Sequence, residues 1–383
     1  MNLEMMHLAI DAIGAKHSGS ATVLTDILNS VIEDPRVSKI TIFCSPSHRR
    51  LFELPTSEKL IEAPRPWIDA NYFFRMIWYE WLLGLTCRFL RVDVLLIASN
   101  FGKALFGIPH VTNIQQSLPF SEEAVSSFGS IFKTVRFGAV RWQMKRSCQS
   151  AACVTCQSLV MKEWLTEAFH LDPARVQAIY TAPRPLEPSN RSNSLRKQNL
   201  QEGDCYRLLY VGSDYPYKKI DTAINALELI RRRFPATELT LTLPKNHHWS
   251  SLSGINCVGY LNDERLAQAY HDTDILVLPS LVETVGLPTL EAMSLGTPVL
   301  VADRPYAHDI CENAALFFDP LSPEDLAEKA IKLLTDQVLR KILIERGLAL
   351  IERRRAEKPY QKIVDILIDV ATSSRSKQTP NYS

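Results

Sequence analysis

Short apolar runs alternate with helix-length amphipathic stretches along almost the whole chain. His7–Ile13, Lys39–Cys44, Val94–Ala98, His110–Ile114, Ala152–Thr155 and Val176–Tyr180 have the length and apolar character of buried strands. Between them, Ala21–Ile32, Arg75–Leu90, Ile131–Ser147 and Leu159–Phe169 read as helices. Strands that are apolar throughout need cover on both faces, so this order predicts a parallel sheet wrapped by helices. The stretch 184–205 is polar and aperiodic, rich in Pro, Ser, Asn, Arg and Lys, and reads as a linker. Alternation then resumes. Arg207–Gly212, Leu239–Leu243, Asp274–Pro279 and Thr297–Ala302 read as strands, and Asp221–Phe234, Glu264–Tyr270 and Pro323–Leu334 as helices. Val338–Val370 is helical, with Pro359 marking a break or kink. The expected layout is an α/β chain with domains over 1–183 and 206–357, a last helix over 358–371 and a disordered polar tail over 372–383.

At 383 residues the chain is long enough for two proper cores. Its 46% hydrophobic and 22% charged content is that of a soluble globular protein. A net charge of +1 supplies no global field for nucleic acid. No uncharged apolar run reaches the roughly 18 residues of a membrane span. MMHLAIDAIG reads as a first strand, since no basic segment precedes it and Asp11 interrupts the apolar run. The 8 cysteines are scattered, mostly in apolar segments, as expected for reduced, buried thiols in a cytoplasmic protein.

Three patterns invite a chemistry they do not complete. Cys153 and Cys156 form a CxxC inside a strand, where the two side chains point to opposite faces and no second pair follows. The loop GAKHSGSA, Gly14–Ala21, resembles a phosphate loop, yet Ser20 stands where an ATPase needs Lys, and GxGxxG is absent. His247-His248 has no third metal ligand nearby. Two helices carry surface chemistry. Arg75–Leu90 is apolar nearly all round, which suits burial between layers, an interfacial membrane helix being the other reading. Ile131–Ser147 carries Lys133, Arg136, Arg141, Lys145 and Arg146, either a solvated face or a patch for anionic lipid.

The most informative stretch is Asp274–Asp303. It reads strand, loop, helix, strand. Gly286 and Pro288 mark the helix start, and Gly296 and Pro298 its end. Glu283 lies in the loop and Glu291 about one turn inside the helix, leaning back over its start. Open N–H groups of Gly286, Leu287 and Thr289, with the helix dipole behind them, suit a diphosphate; the carboxylates suit vicinal hydroxyls on either side.

PSLVETVGLPTLEAMSLGTPVLVAD, with seven residues between its two acids, resembles the donor-site signature of retaining glycosyltransferases of family 4. The resemblance is strong over 206–335 and weak over 1–183. It implies the GT-B fold: two Rossmann-like domains with parallel sheets facing across a cleft, and a C-terminal helix crossing back to the first domain. It assigns Glu283 to the donor sugar and Glu291 to the ribose hydroxyls. Lys218 matches the family's phosphate-binding Lys, whereas Ser213, after Gly212, stands where the family has Arg. Leu261 falls where the family's backbone meets the nucleobase. Gly19 is the position where the first domain's loop approaches the diphosphate. Gln115 and Gln116 occupy the acceptor side, where many members carry His; Gln hydrogen-bonds a sugar hydroxyl but is no general base. Asp272-Thr273-Asp274 is a D-x-D, read as helix end and strand start rather than a metal site.

The resemblance therefore implies a glycosyltransferase moving a sugar from a nucleotide diphosphate donor to an acceptor hydroxyl, with retention, in cell-envelope or exopolysaccharide assembly. Lys218 and Glu283 are the catalytic candidates. No cofactor or divalent metal is expected. The expected partners are the nucleotide sugar, a glycan or lipid-linked glycan acceptor and a peripheral membrane contact at the inner face, with no nucleic acid. An epimerase or hydrolase on the same fold, or a non-catalytic nucleotide-sugar-binding subunit, is the alternative.

Overall fold

The computed structural model describes residues 5–14, 18–46, 54–69, 71–104, 106–189 and 205–378. It divides into two compact units. One comprises Met1–Phe120, Val135–Thr181 and Lys358–Ser383; the other comprises Ser121–Thr134 and Ala182–Glu357. Ser121–Thr134 thus packs with the second unit although the hydropathy pattern runs the first domain unbroken to residue 183. Residues 190–204, most of the expected linker, lie outside the described residues.

The first unit holds seven strands: β1 Met6–Asp11, β2 Val37–Cys44, β3 Leu60–Pro64, β4 Val94–Ile97, β5 His110–Asn113, β6 Cys153–Cys156 and β7 Val176–Ala178. The second holds six: β8 Arg207–Tyr210, β9 Glu238–Leu241, β10 Ile255–Cys257, β11 Ile275–Leu278, β12 Val299–Ala302 and β13 Leu316–Phe318. Their orders are β3-β2-β1-β4-β5-β6-β7 and β10-β9-β8-β11-β12-β13, and neighbouring strands pair in parallel, as in Leu276 opposite Val299. Both are doubly wound sheets. The direction of winding reverses between β1 and β4 in one and between β8 and β11 in the other. In such sheets ligands bind at that reversal, beyond the carboxyl ends of the strands.

Two elements differ from the sequence expectation. Helix 75–90 is three consecutive pieces, Tyr72–Ile77, a π turn Trp78–Leu82, and Leu83–Phe89. It is not buried all round. Trp78, Tyr79, Leu83 and Cys87 face the core, whereas Trp81, Leu85 and Phe89 are exposed. The expected disordered tail is helical as far as Gln378: the last helix runs Pro359–Gln378 and packs in the first unit, burying Ile363, Val364, Leu367, Ile368 and Ala371. Its polar end is held by Arg375, whose Nη2 lies 2.5 Å from Asp93 Oδ1. Residues 379–383 lie outside the described residues.

Candidate functional site

The loops after β8 and β11 border the winding reversal of the second unit. The β8 loop starts at Gly212, whose amide donates to Thr242 Oγ1 at 3.0 Å. Buried Tyr210 donates its hydroxyl to Ser213 O at 2.7 Å, and a Cβ on Gly212 would lie 2.7 Å from that hydroxyl oxygen. Only glycine lets the loop fold back this closely. A single 3-10 turn, Pro216–Lys218, then aims Lys218 at the β11 loop. Leu281 N donates to Tyr217 O at 2.8 Å and ties the two loops together. Tyr306, also buried, donates to Ser280 O at 2.8 Å and holds the β11 loop from behind.

Lys218 Nζ and Glu283 Oε1 meet at 2.5 Å, with side chains 14% and 15% exposed. Burial works against the ammonium, but the neighbouring carboxylate of Glu283 outweighs it, and the Lys218 pKa stands above its ordinary value. A permanently charged ammonium and a carboxylate therefore sit side by side at the strand ends, with Lys218 also 5.2 Å from the Tyr217 ring centroid.

The helix Leu287–Ser294 starts just beyond. Gly286 precedes it at φ 62°, a left-handed conformation that glycine adopts without strain. Gly296 ends it at φ 68°, with Thr297 N donating back to Ala292 O at 2.9 Å. One expectation fails here. The Thr289 amide is not open: it donates to Gly286 O at 2.8 Å, and the Thr289 hydroxyl donates to the same carbonyl at 2.6 Å. The first turn closes on itself at i+3, so Thr289 faces inward and the open amides of this helix start are those of Gly286 and Leu287. Glu291 is buried, and Tyr270 donates to its Oε2 at 2.8 Å.

Of the residues singled out in the sequence, Gly212, Ser213, Lys218, Glu283, Gly286, Leu287 and Glu291 share these two loops and this helix. Leu261 lies in the same unit, in the loop between β10 and the helix Asp263–Asp272. Gly19, Gln115 and Gln116 belong to the first unit. Gly19 stands in the first turn of the helix Ser18–Glu33, not in a loop. Gln115 follows β5, its amide donating to Asn100 Oδ1 at 2.5 Å. Asp274 is buried and accepts from Arg207 N at 2.8 Å. His247 pairs with Asp214 at 3.2 Å, and among the described residues no group of three His, Cys, Asp or Glu side chains is placed to hold a metal ion.

Sequence reasoning missed Tyr210, Tyr270 and Tyr306. Tyr210 ends an apolar strand, and Tyr270 and Tyr306 sit on the buried sides of their helices, so all three read as core; only the fold reveals that their hydroxyls buttress the candidate site. It also missed Arg304, which grips Glu123 with two hydrogen bonds of 3.0 and 2.6 Å.

Residues 205–336 match the family model described as glycosyl transferases group 1. The O-antigen chain mannosyltransferase RfbU of Salmonella typhimurium is 26% identical over 307 residues, covering 76% of this chain and 80% of the relative. Among solved structures, sucrose-phosphate synthase from Thermosynechococcus elongatus superposes with a TM-score of 0.73 at 15% identity, covering 96% of this chain and 100% of that one. Anabaena HepE in complex with UDP-glucose gives 0.67 at 16% identity over 97% of this chain and 100% of that one. The doubly wound pair of sheets and the loops gathered at the second reversal agree with these matches: residues 205–336 are a domain of the glycosyl transferases group 1 family, and the chain is a glycosyltransferase with the GT-B fold.

Proposed function

We propose that this protein transfers a hexose, with retention of configuration, from a nucleoside diphosphate sugar to a growing cell-envelope polysaccharide. The observation that carries the reading is the Lys218–Glu283 pair at the β8/β11 reversal, beside the helix start at Gly286 and the buried Glu291. In the free protein the two charges neutralise each other. A bound donor offers each a better partner: the diphosphate for Lys218, sugar hydroxyls for Glu283. Lys218, with the amides of Gly286 and Leu287, then stabilises the charge that develops on the departing diphosphate. Glu291 accepts from the ribose, the loop at Leu261 meets the base, and Gly212 and Ser213 let backbone approach the phosphates. In this mechanism no side chain of the described residues acts as a nucleophile. Catalysis rests on positioning and on leaving-group stabilisation, the departing phosphate helping to deprotonate the acceptor. Gln115 and Gln116 supply neutral hydrogen bonds to the acceptor. The similarity to a mannosyltransferase of O-antigen chains supports a hexose and a polysaccharide.

A screen of UDP, GDP, dTDP and ADP by thermal shift tests the donor assignment. One of them is expected to raise the melting temperature by several degrees, because a ligand that binds only the native state stabilises it by mass action, about 2.7 kcal/mol at a hundredfold excess over Kd. Glu291→Ala is expected to abolish the shift. A shift that survives this change removes Glu291 from the site.

A lipid-linked acceptor would bring the enzyme to a membrane surface, and the first unit has a face suited to one. No helix among the described residues is long and apolar enough to cross a bilayer. Trp81, Leu85 and Phe89, at intervals of four, are 62%, 49% and 86% exposed. Beside them the helix Ile131–Ser150 carries Arg136, Arg141, Lys145 and Arg146 and no acidic residue, and its Arg146 reaches Glu80 at 2.8 Å. Apolar anchors beside basic groups bind anionic interfaces. The protein is expected to float with vesicles containing phosphatidylglycerol and not with pure phosphatidylcholine. Trp81→Ser/Phe89→Ser is expected to leave it in the pellet fraction with both, and flotation unaffected by that double change would dismiss this face.

A further inference from the structure

Glu291 is the least conventional carboxylate of the site. It is 6% exposed, and burial raises its pKa, opposed by the Tyr270 hydrogen bond and by Arg184. A carboxylate in such a place is prone to take a proton, and a protonated Glu291 would offer a donor where ribose hydroxyls need an acceptor. The fold answers this with one side chain. The helix Asp263–Asp272 buries Leu266, Ala267 and Tyr270 on one stripe. Thr297 Oγ1 donates to Tyr270 O at 2.6 Å and fixes the helix end against the start of the β12 segment. The Tyr270 hydroxyl is thereby aimed at Glu291 Oε2, 2.8 Å away, and both groups are out of water. Among the described residues nothing hydrogen-bonds the other oxygen, Oε1.

We propose that Tyr270 is the positioning residue that holds Glu291 in one rotamer as an unprotonated acceptor, leaving Oε1 for the hydroxyls of the donor's ribose. The inference rests on the donor assignment above and adds a residue that does not itself touch the donor. A phenol donating to one carboxylate oxygen stabilises the ionised form and orients the other oxygen. The remaining charged groups acting on Glu291 are Arg184, which favours ionisation, and Asp263, which opposes it; these two pair at 2.5 Å, so their effects partly cancel. That leaves the Tyr270 hydrogen bond as the main restraint on protonation.

The direction of the pH effect follows. Ribose binding needs ionised Glu291, so nucleotide affinity is full above the Glu291 pKa and is lost as pH falls through it. Without the phenol the pKa moves further up, and the loss begins at a higher pH. The test is calorimetric titration of wild type and Tyr270→Phe with UDP and GDP from pH 5 to 8.5. The variant is expected to bind whichever nucleotide the wild type prefers about tenfold more weakly at pH 6 and nearly as well at pH 8.5. Its preference for the ribonucleotide over the 2′-deoxy form is expected to shrink. Glu291→Gln, which cannot ionise, is expected to bind weakly with a flat pH profile and serves as the reference if the Phe variant folds poorly. A uniform loss across the pH range would make Tyr270 a packing residue only, and an unchanged profile would also overturn the proposal. If wild type binds neither nucleotide, the donor assignment itself fails, and this inference with it.

Discussion

Lys218→Met is expected to lower the turnover number by about 100- to 1,000-fold, the usual cost of removing one preorganised stabiliser of developing charge. The size of the effect comes from Lys218 acting alone in the proposed site, the neighbouring Lys219 being paired with Asp221 at 2.9 Å. Where the family resemblance implies an Arg after the glycine of the β8 loop, this chain has Ser213, so in the proposed site one ammonium and two backbone amides would meet the departing diphosphate. Met keeps the length of the aliphatic stem, so the change isolates the charge, including its attraction to the Tyr217 ring. It also leaves Glu283 without its partner at 15% exposure. Stranding a carboxylate in a mostly buried site destabilises the fold, so activity has to be compared well below the melting temperature of the variant. Adding Glu283→Gln separates the two effects. The double variant holds a neutral pair of similar shape, and its melting temperature is expected to return most of the way to wild type while turnover stays at the level of Lys218→Met or below. The readout is release of nucleoside diphosphate from the sugar donor of whichever nucleotide gives the thermal shift. Turnover within about threefold of wild type in Lys218→Met would remove the charge from the mechanism.

The parts of this molecule that were legible in the sequence are those where one residue's neighbours along the chain decide its environment. Ile275–Leu278 reads as a strand because both of its faces are buried and the run is therefore apolar throughout. The helix after it is bracketed by Gly286 and Gly296, whose backbone conformations few other residues tolerate. Glu283 and Glu291 stood out because strand, loop and helix fix their spacing, whereas Lys218 stood out only through the family resemblance. What stayed hidden depended on partners far away in the chain. β3, Leu60–Pro64, lies at the sheet edge with three of its five residues exposed, and Glu62 splits its few apolar residues so that no long apolar run marks it. The helical turn at 372–378 is polar and looks like a tail; Asp93, nearly three hundred residues earlier, holds it. Thr289 looked like an open amide because spacing places it in the first turn, but spacing does not say that the turn closes at i+3. Tyr270 gives no sign at all. Its ring satisfies the helix stripe, and its hydroxyl matters only because helix Leu287–Ser294 brings Glu291 against it.

The largest loss of stability is expected from Trp78→Ala in the first unit. Trp78 is 1% exposed at the start of the π turn, with its ring edge-on to Phe43 at 5.2 Å and to Trp67 at 6.1 Å. Removing a buried tryptophan costs about 3–5 kcal/mol, transfer and cavity together. At roughly 2–4 °C per kcal/mol for a unit of this size, the first unit is expected to melt about 6–20 °C lower. A second contribution depends on pH. Trp78 Nε1 donates to Asp11 Oδ1 at 3.0 Å, and Ser99 donates to Oδ2 at 2.5 Å. Even with both hydrogen bonds, complete burial pushes the Asp11 carboxyl up to about 6. Its folded pKa is therefore above its unfolded one, the folded state binds the proton more tightly, and stability falls as pH rises from about 4 to about 6, then levels off. Taking away the indole N–H raises the folded pKa again and carries the decline to higher pH. Trp78→Ala is thus expected to be more damaging at pH 8 than at pH 5. Trp78→Phe keeps most of the ring, and it is expected to lose less overall while showing the same sign of pH dependence. Asp11→Asn removes the titrating group and is expected to erase that dependence in either background. Calorimetric melting of these variants at pH 5 and pH 8 separates the cavity from the stranded carboxylate. An equal drop at both pH values in Trp78→Ala would mean that Ser99 alone satisfies Asp11.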